Sequence, residues 1–283
     1  MAAPSQQTTT FDADTAVFAR GDGVYDATLS DRWAVPRGPN GGYIAAVMLR
    51  ALEAEVADPD RAPRSLTLHY LRPPVPGQAA QVHVTVERTG RTLTSLSARL
   101  IQDGRPMVLA LAAFASDFPS AADYATPAPD VGPPPAALHT VPVAPGVPEI
   151  ALRTALQPVF GAMAGDGGLS LAAGGDEALT GGWLRLAEPR PADAAAIAFY
   201  CDAWLPAPFA LLKAPAPAPT VDLTIHFRTR LPLSTMAPDA PVLARFSSTT
   251  SHGGFFEEDG ALWAPDGTLL AQSRQLALLF PGS

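Results

Sequence analysis

The chain has 283 residues, 47% of them apolar, with 27 acidic against 19 basic side chains and a net charge of -8. That length supplies a sizeable core without covalent staples, and the acidic balance argues against nucleic-acid binding, which draws on a positive surface. The single cysteine, Cys201, excludes an intramolecular disulfide; with no Cys/His cluster at ligand spacing, it points to a reducing compartment and to no metal or other cofactor.

The opening Met-Ala-Ala-Pro-Ser-Gln-Gln-Thr-Thr-Thr carries no basic residue and no apolar run, unlike a secretory leader. No stretch reaches the roughly 18 consecutive apolar residues that a membrane span needs, so a cytoplasmic location is expected. Residues 1–15 read as a poorly ordered lead-in. Residues 24–29 and 32–35 suggest a short hairpin across Ser30-Asp31, carrying Tyr25 and Trp33. Residues 36–42, Pro-Arg-Gly-Pro-Asn-Gly-Gly, are a turn cluster. It feeds the best helical pattern, residues 43–56, where Ile44, Val47, Met48, Ala51, Leu52 and Val56 fall on one stripe. Strand-like runs follow at 66–70, 81–88, 92–102 and 107–114, with the turn Asp103-Gly104 before the last.

Residues 117–150 form a linker rich in Pro and Ala, including Pro133-Pro134-Pro135. Residues 151–173 are expected to contribute a strand. Residues 176–186, with Gly181-Gly182-Trp183, read as the counterpart of the Trp33 strand, and residues 191–204 as a second helix with Pro191 in its first turn. A Pro/Ala loop at 206–219 precedes four strands at 220–228, 241–249, 253–263 and 268–280, with the turn Asp266-Gly267 before the last.

The two series are alike. Leu-Thr-Leu-His-Tyr at 66–70 matches Leu-Thr-Ile-His-Phe at 223–227, and an Asp-Gly hairpin signal stands at the corresponding place in each half. The period is far longer than that of a solenoid, so one domain has been doubled: 1–117 as the first copy, 118–150 as linker and 151–283 as the second. The fold class is α+β, and the two sheets are expected to meet edge to edge, a pseudo-dimer in one chain.

A helix followed by an antiparallel sheet curling round it, twice over, resembles the double hotdog fold, and the chain is similar to acyl-CoA thioesterase II and its thioesterase-like relatives over about 20–117 and 180–281. In that family the second half supplies a water-binding Asp, Thr and Gln. Tyr200-Cys201-Asp202 looks like the family's helix-borne Tyr-x-Ser-Asp segment, Thr220-Val221-Asp222 like its Thr-Ile-Asp, and the Gln nine residues after Asp266 is Gln275. The resemblance therefore implies Asp202, Thr220 and Gln275 as catalytic residues. Cys201 replaces a Ser, His226 stands where an aromatic residue is usual, and Asp222 is a second acidic candidate.

Those residue types suit the chemistry that the resemblance implies. Thioester hydrolysis needs a positioned water, a base and donors facing the carbonyl oxygen. A carboxylate among apolar side chains, Asp202, acts as base with its pKa raised by desolvation. Thr220 and Gln275 hold the water, and backbone N–H groups at the helix start, at Asn40, Gly41 and Gly42, serve as oxyanion or substrate-binding donors. The expected partner is an acyl-CoA or acyl-carrier thioester, with Arg37, Arg72 and Arg228 as candidate phosphate contacts. The outer sheet face leaves room for homo-oligomers of such chains.

Each residue also has a plainer reading. An Asp near a helix end commonly makes a local hydrogen bond; Thr opening a strand and Gln along one suit the strand as such. His69 and His226, equivalent in the repeat, read as paired core or interface residues, and Cys201 as a small buried side chain. No Gly-x-Ser-x-Gly, Gly-rich phosphate loop or His-Glu-x-x-His motif is present. An acyl-thioester binding protein without chemistry is the main alternative. An enoyl-thioester hydratase would need an Asp/His pair at a helix start, which Asn40-Gly41-Gly42 lacks.

Overall fold

The structure, a computed structural model, describes residues 8–140, 149–163, 174–214 and 216–281. Counting strands of five residues or more, the first half contributes β1 (Val17–Gly21), β2 (Val24–Leu29), β3 (Ala62–Tyr70), β4 (Gln78–Thr89), β5 (Leu93–Gln102) and β6 (Arg105–Ala115). The second contributes β7 (Thr154–Pro158), β8 (Leu179–Leu186), β9 (Thr220–Phe227), β10 (Val242–Ser247), β11 (Phe255–Trp263) and β12 (Leu269–Leu278). They form one sheet in the order β1-β2-β4-β5-β6-β3-β9-β12-β11-β10-β8-β7, which reads the same from either end once each strand is replaced by its repeat partner. Two-residue strands at His139–Thr140 and Ser251–His252 extend it.

The seam is the repeated segment paired with itself. β3 and β9 run antiparallel with Thr67 opposite Thr224, Leu66 opposite Ile225 and Leu68 opposite Leu223. The two threonine hydroxyls hydrogen-bond at 3.1 Å on the outward face. Each strand also carries a bulge at the same place, between Pro63 and Ser65 against β6 and between Thr220 and Asp222 against β12. Matching sequences have therefore produced matching local irregularities, and the molecule has an internal twofold relation centred on this pair.

Alternation places Leu66, Leu68, Leu223, Ile225 and Phe227 in the core, and leaves His69 and His226 exposed on the outward face. The histidines are thus outward-facing residues and not core ones. Helix α2 (Gly41–Val56) starts at Asn40, whose Oδ1 accepts the Tyr43 N–H at 2.9 Å, and ends at Ala57 in the left-handed region. Residues 42–49 of α2 are buried without a break, so no single apolar stripe describes it: the sheet covers one side and α3 (Ala194–Tyr200) the other. Trp33 stacks on Tyr43 with ring centroids 5.7 Å apart and meets Phe199 edge-on at 5.1 Å, contacts worth about 0.5–1.5 kcal/mol each beyond burial.

Several expectations change. Within the lead-in, residues 10–14 form a helix, α1 (Thr10–Asp14), closed by a capping box between Thr9 and Asp12; residues 1–7 lie outside the described residues. β2 pairs with β1 and β4 instead of with 32–35, because Asp31–Trp33 is a single 3-10 turn capped by Ser30. Trp183 lies in β8, the partner of β2, and so is no counterpart of Trp33. The second helix is seven residues long: Asp193, not Pro191, caps it by accepting the Ala196 N–H, and it stops at Tyr200. Of the strand expected in 151–173, β7 accounts for residues 154–158, and 164–173 lie outside the described residues. The Pro/Ala linker packs on the outer face of the second half, where Ala128, Val131 and Leu138 cover Trp183, Leu243 and Trp263. Among the described residues no helix is long and apolar enough to cross a membrane.

Candidate functional site

The sheet seam and the two helices bring together residues that are far apart in sequence. Asp202 lies in the turn just beyond α3, where its N–H bonds the Phe199 carbonyl at 3.1 Å. Its side chain points across to the start of α2. Oδ2 accepts the Gly42 N–H at 3.0 Å and the Asn40 amide at 3.0 Å, and the same Asn40 amide also donates to the Asp202 carbonyl at 2.8 Å. A carboxylate from one half thus sits on the free donors and positive dipole end of the other half's longest helix.

Glycine at 41 and 42 makes that approach possible. A Cβ on Gly42 would stand 2.5 Å from the Phe199 carbonyl oxygen, and one on Gly41 would stand 2.9 Å from Asp202 Oδ2 and 3.1 Å from the Tyr70 hydroxyl. Tyr70, at the end of β3, donates its hydroxyl to the Gly41 carbonyl at 2.8 Å. Burial, followed by the charge of Asp202, pushes the Tyr70 phenol well above its ordinary pKa.

On the inward face of β12 lies the second group. Thr220 donates its hydroxyl to Gln275 Oε1 at 3.0 Å, and Gln275 Nε2 donates to Glu258 Oε1 at 2.6 Å. Glu258 lies on β11 and also accepts the Ala207 N–H through Oε2. It is buried, as is Gln275. The segment 201–207 links the two groups: Cys201 hydrogen-bonds Ser273, two residues before Gln275 on the same strand, and Ala207 ends on Glu258. Asp202 and Glu258 are close enough for the charge of one to raise the pKa of the other.

The electrostatics are those of carboxylates held out of water. Burial raises Asp202 from 3.8 to about 6, and bonds from Gly42, Gly41 and Asn40 limit the rise. Burial raises Glu258 to about 7; the bonds from Ala207 and Gln275 oppose it, while Asp202 and Glu257 add to it. Cys201 is fully buried and its thiol is pushed up to about 12, chiefly by burial, so it is no nucleophile. Asp222 lies elsewhere: its carboxylate fills the β9 bulge and accepts the Leu276 N–H at 3.3 Å. Among the described residues no group of three or more His, Cys, Asp or Glu is placed to hold a metal ion.

Of the candidate phosphate contacts, Arg72 donates to the Pro106 carbonyl, Arg228 to Gln272, and Arg37 lies over the Phe280 ring. Sequence reasoning missed Glu258 and Tyr70. The signal for Glu258 was its parity: it alternates with Phe256, Gly260 and Leu262, all inward on β11.

The internal twofold defines a mirror position for each site residue. Gln275 opposes Leu223 and Glu258, while in the first half Ala112 opposes Leu66 and Leu96. Ala112 and Leu96 therefore replace Gln275 and Glu258, Pro63 replaces Thr220, and Leu49 replaces Asp202 when counted from the two helix caps. All four replacements are buried and apolar. Among the described residues the polar constellation occurs once.

The chain is similar to known proteins over most of its length. The acyl-CoA thioesterase C-terminal domain model matches residues 135–279, and the acyl-CoA thioesterase N-terminal domain model matches residues 29–115. Among curated proteins no sequence matches. A hot dog fold protein of unknown function from Alicyclobacillus acidocaldarius is 28% identical, with a TM-score of 0.83 over 98% of this chain and 100% of that one. A candidate thioesterase II from Thermobifida fusca is also 28% identical, with a TM-score of 0.80 over 97% and 98%. An acyl-CoA thioesterase II from Mycobacterium marinum is 18% identical and shares the fold, with a TM-score of 0.74 over 97% and 99%. The architecture is the double hotdog, α+β, and with both domain models placed on its two halves the chain belongs to the acyl-CoA thioesterase family and is a thioesterase.

Proposed function

We propose that the chain hydrolyses acyl-CoA thioesters to the free acid and CoA, with Asp202 as general base and Thr220 and Gln275 holding the attacking water. The observation that carries this reading is the Asp202 carboxylate, partly buried between the halves, held by Asn40 and Gly42 and raised to about 6. Such a group is ionised at neutral pH yet basic enough to take a proton from water, the compromise that general base catalysis needs.

In this reading the bonds from Asn40 and Gly42 fall on Oδ2, and Oδ1 is assigned to the water. The water oxygen attacks the thioester carbonyl carbon as its proton passes to Asp202. The tetrahedral intermediate collapses, the C–S bond breaks, and the departing thiolate takes the proton back from Asp202. Thioester, water and enzyme thus become acid, thiol and unchanged enzyme. Asn40, Gly41 and Gly42 are assigned to holding the base in place of the oxyanion, since the Gly42 N–H is committed to Asp202.

Thiol release from acyl-CoAs of several chain lengths, with product formed in heavy-oxygen water under single-turnover conditions, tests the mechanism. Direct attack by water puts the label in the acid on the first turnover. Label in Asp202 instead would mean an acyl-aspartyl intermediate and would overturn the assignment.

A further inference from the structure

Gln275 carries two candidate polarities, because its amide oxygen and nitrogen can exchange places unless neighbours forbid it. Here two neighbours decide. An ionised Glu258 has no proton to give, so only the Gln275 NH2 can face it, at 2.6 Å. Oε1 is then turned to Thr220, whose one hydroxyl proton goes to it at 3.0 Å. That leaves the lone pairs of Thr220 Oγ1 free to accept from a water, and the second N–H of Gln275 free to donate to it.

We propose that Glu258 is a positioning residue of the reaction: through the Gln275 amide its carboxylate fixes the direction of the Thr220 hydroxyl, and so the orientation of the attacking water. The proposal rests on the reading of Thr220 and Gln275 as the residues that hold that water. Nothing in the fold requires an acid here. The mirror position is Leu96, buried in the same way, and the sheet closes over it without a charge. A buried carboxylate costs stability unless it is hydrogen-bonded, and among the described residues this one is bonded to Gln275 and to the Ala207 N–H.

Protonation reverses the chain. Neutral Glu258 can donate to Gln275 Oε1, which turns the NH2 to Thr220 and the Thr220 proton toward the water. The charged groups acting on Glu258 are Asp202 across the site and Glu257 beside it on β11, both of which favour the neutral form. Turnover therefore falls as pH drops through the neutral range for two reasons, one at Glu258 and one at Asp202.

Glu258→Gln separates them. Its amide oxygen is drawn to the fixed Ala207 N–H, so its NH2 faces Gln275 and imposes the reversed polarity at every pH. We expect kcat to fall about 10- to 100-fold with KM nearly unchanged, and the acid limb of the kcat profile to simplify to the single step of Asp202. A folded Glu258→Gln enzyme with wild-type kcat and pH profile overturns the proposal. Thr220→Val controls for the underlying reading: wild-type turnover there would remove the water-holding role itself, whatever Glu258 does.

Discussion

The carboxylate of Asp202 accepts the N–H of Gly42 at 3.0 Å across 160 residues of sequence. Each half of the doubled chain therefore contributes a different part of one site: the second half supplies the acid, the threonine and the glutamine, while the first supplies the helix end that holds the acid. In the proposed mechanism the two copies of the fold play unlike parts.

Gly42→Ala tests that contact. The added Cβ would stand 2.5 Å from the Phe199 carbonyl oxygen and 3.0 Å from the Asp202 Cβ, and a backbone carbonyl cannot swing aside as a side chain tip can. Separation of α2 from α3 should cost about 1–3 kcal/mol in a denaturant melt and lower kcat/KM by about tenfold or more through displacement of Asp202. Gly41→Ala meets only side chains, the Asp202 carboxylate and the Tyr70 ring, so it should harm turnover more than stability.

Asp202 also leaves a signature in stability against pH. Its folded value is about 6 against an ordinary 3.8, so the folded state binds the proton more tightly than the unfolded one, and the wild type loses stability as pH rises between those values. Asp202→Asn has no such titration. The stability of the variant relative to wild type should increase from about pH 4 to about pH 6 and level off above, by at most about 3 kcal/mol. Urea melts at several pH values check this; a relative stability of the variant that falls as pH rises would show that the carboxylate is stabilised, not strained, by its site.

Thr220→Val and Gln275→Leu should each lower kcat by about 10- to 100-fold while leaving KM nearly unchanged, because both act on the water and not on the acyl group. Their bond at 3.0 Å makes them one unit, so the double variant should lose much less than the product of the two single losses. Independent, multiplicative losses measured in a double-mutant cycle would argue that they do not share one water.

At the seam, the Thr67 and Thr224 hydroxyls pair at 3.1 Å with no role in the site. Replacing both by Val keeps β-branched shape and removes both partners together, so the change should be within about 1 kcal/mol. A single Thr67→Val should cost more than the pair.

Much of this was legible in the sequence, and the reasons differ by feature. The strands declared themselves by alternation, and the repeat of residues 66–70 at 223–227 implied that the halves meet, which β3 and β9 do. Helix ends were less legible: Pro191 looked like a start, but Asp193 offers a side-chain acceptor to the Ala196 N–H and takes the cap. The helix α1 was missed although Thr9 and Asp12 have the spacing of a capping box. Asp202, Thr220 and Gln275 came from resemblance alone, since no local pattern marks them. Glu258 stands in a run, Glu257-Glu258-Asp259, that reads as a solvated edge until parity with Phe256 and Leu262 assigns its middle member inward. Tyr70 could not be found that way: only the turn of α2 toward β3 brings its hydroxyl to Gly41.

Thiol release by Asp202→Asn bears most directly on the account as a whole. In a variant that remains folded at the assay pH, kcat/KM for acyl-CoA should fall about 10²- to 10⁴-fold, the usual contribution of a positioned base, and the residual rate should lose the acid limb near pH 6 that the raised carboxylate gives the wild type. A folded variant that turns over within about threefold of wild type and keeps that limb would contradict it.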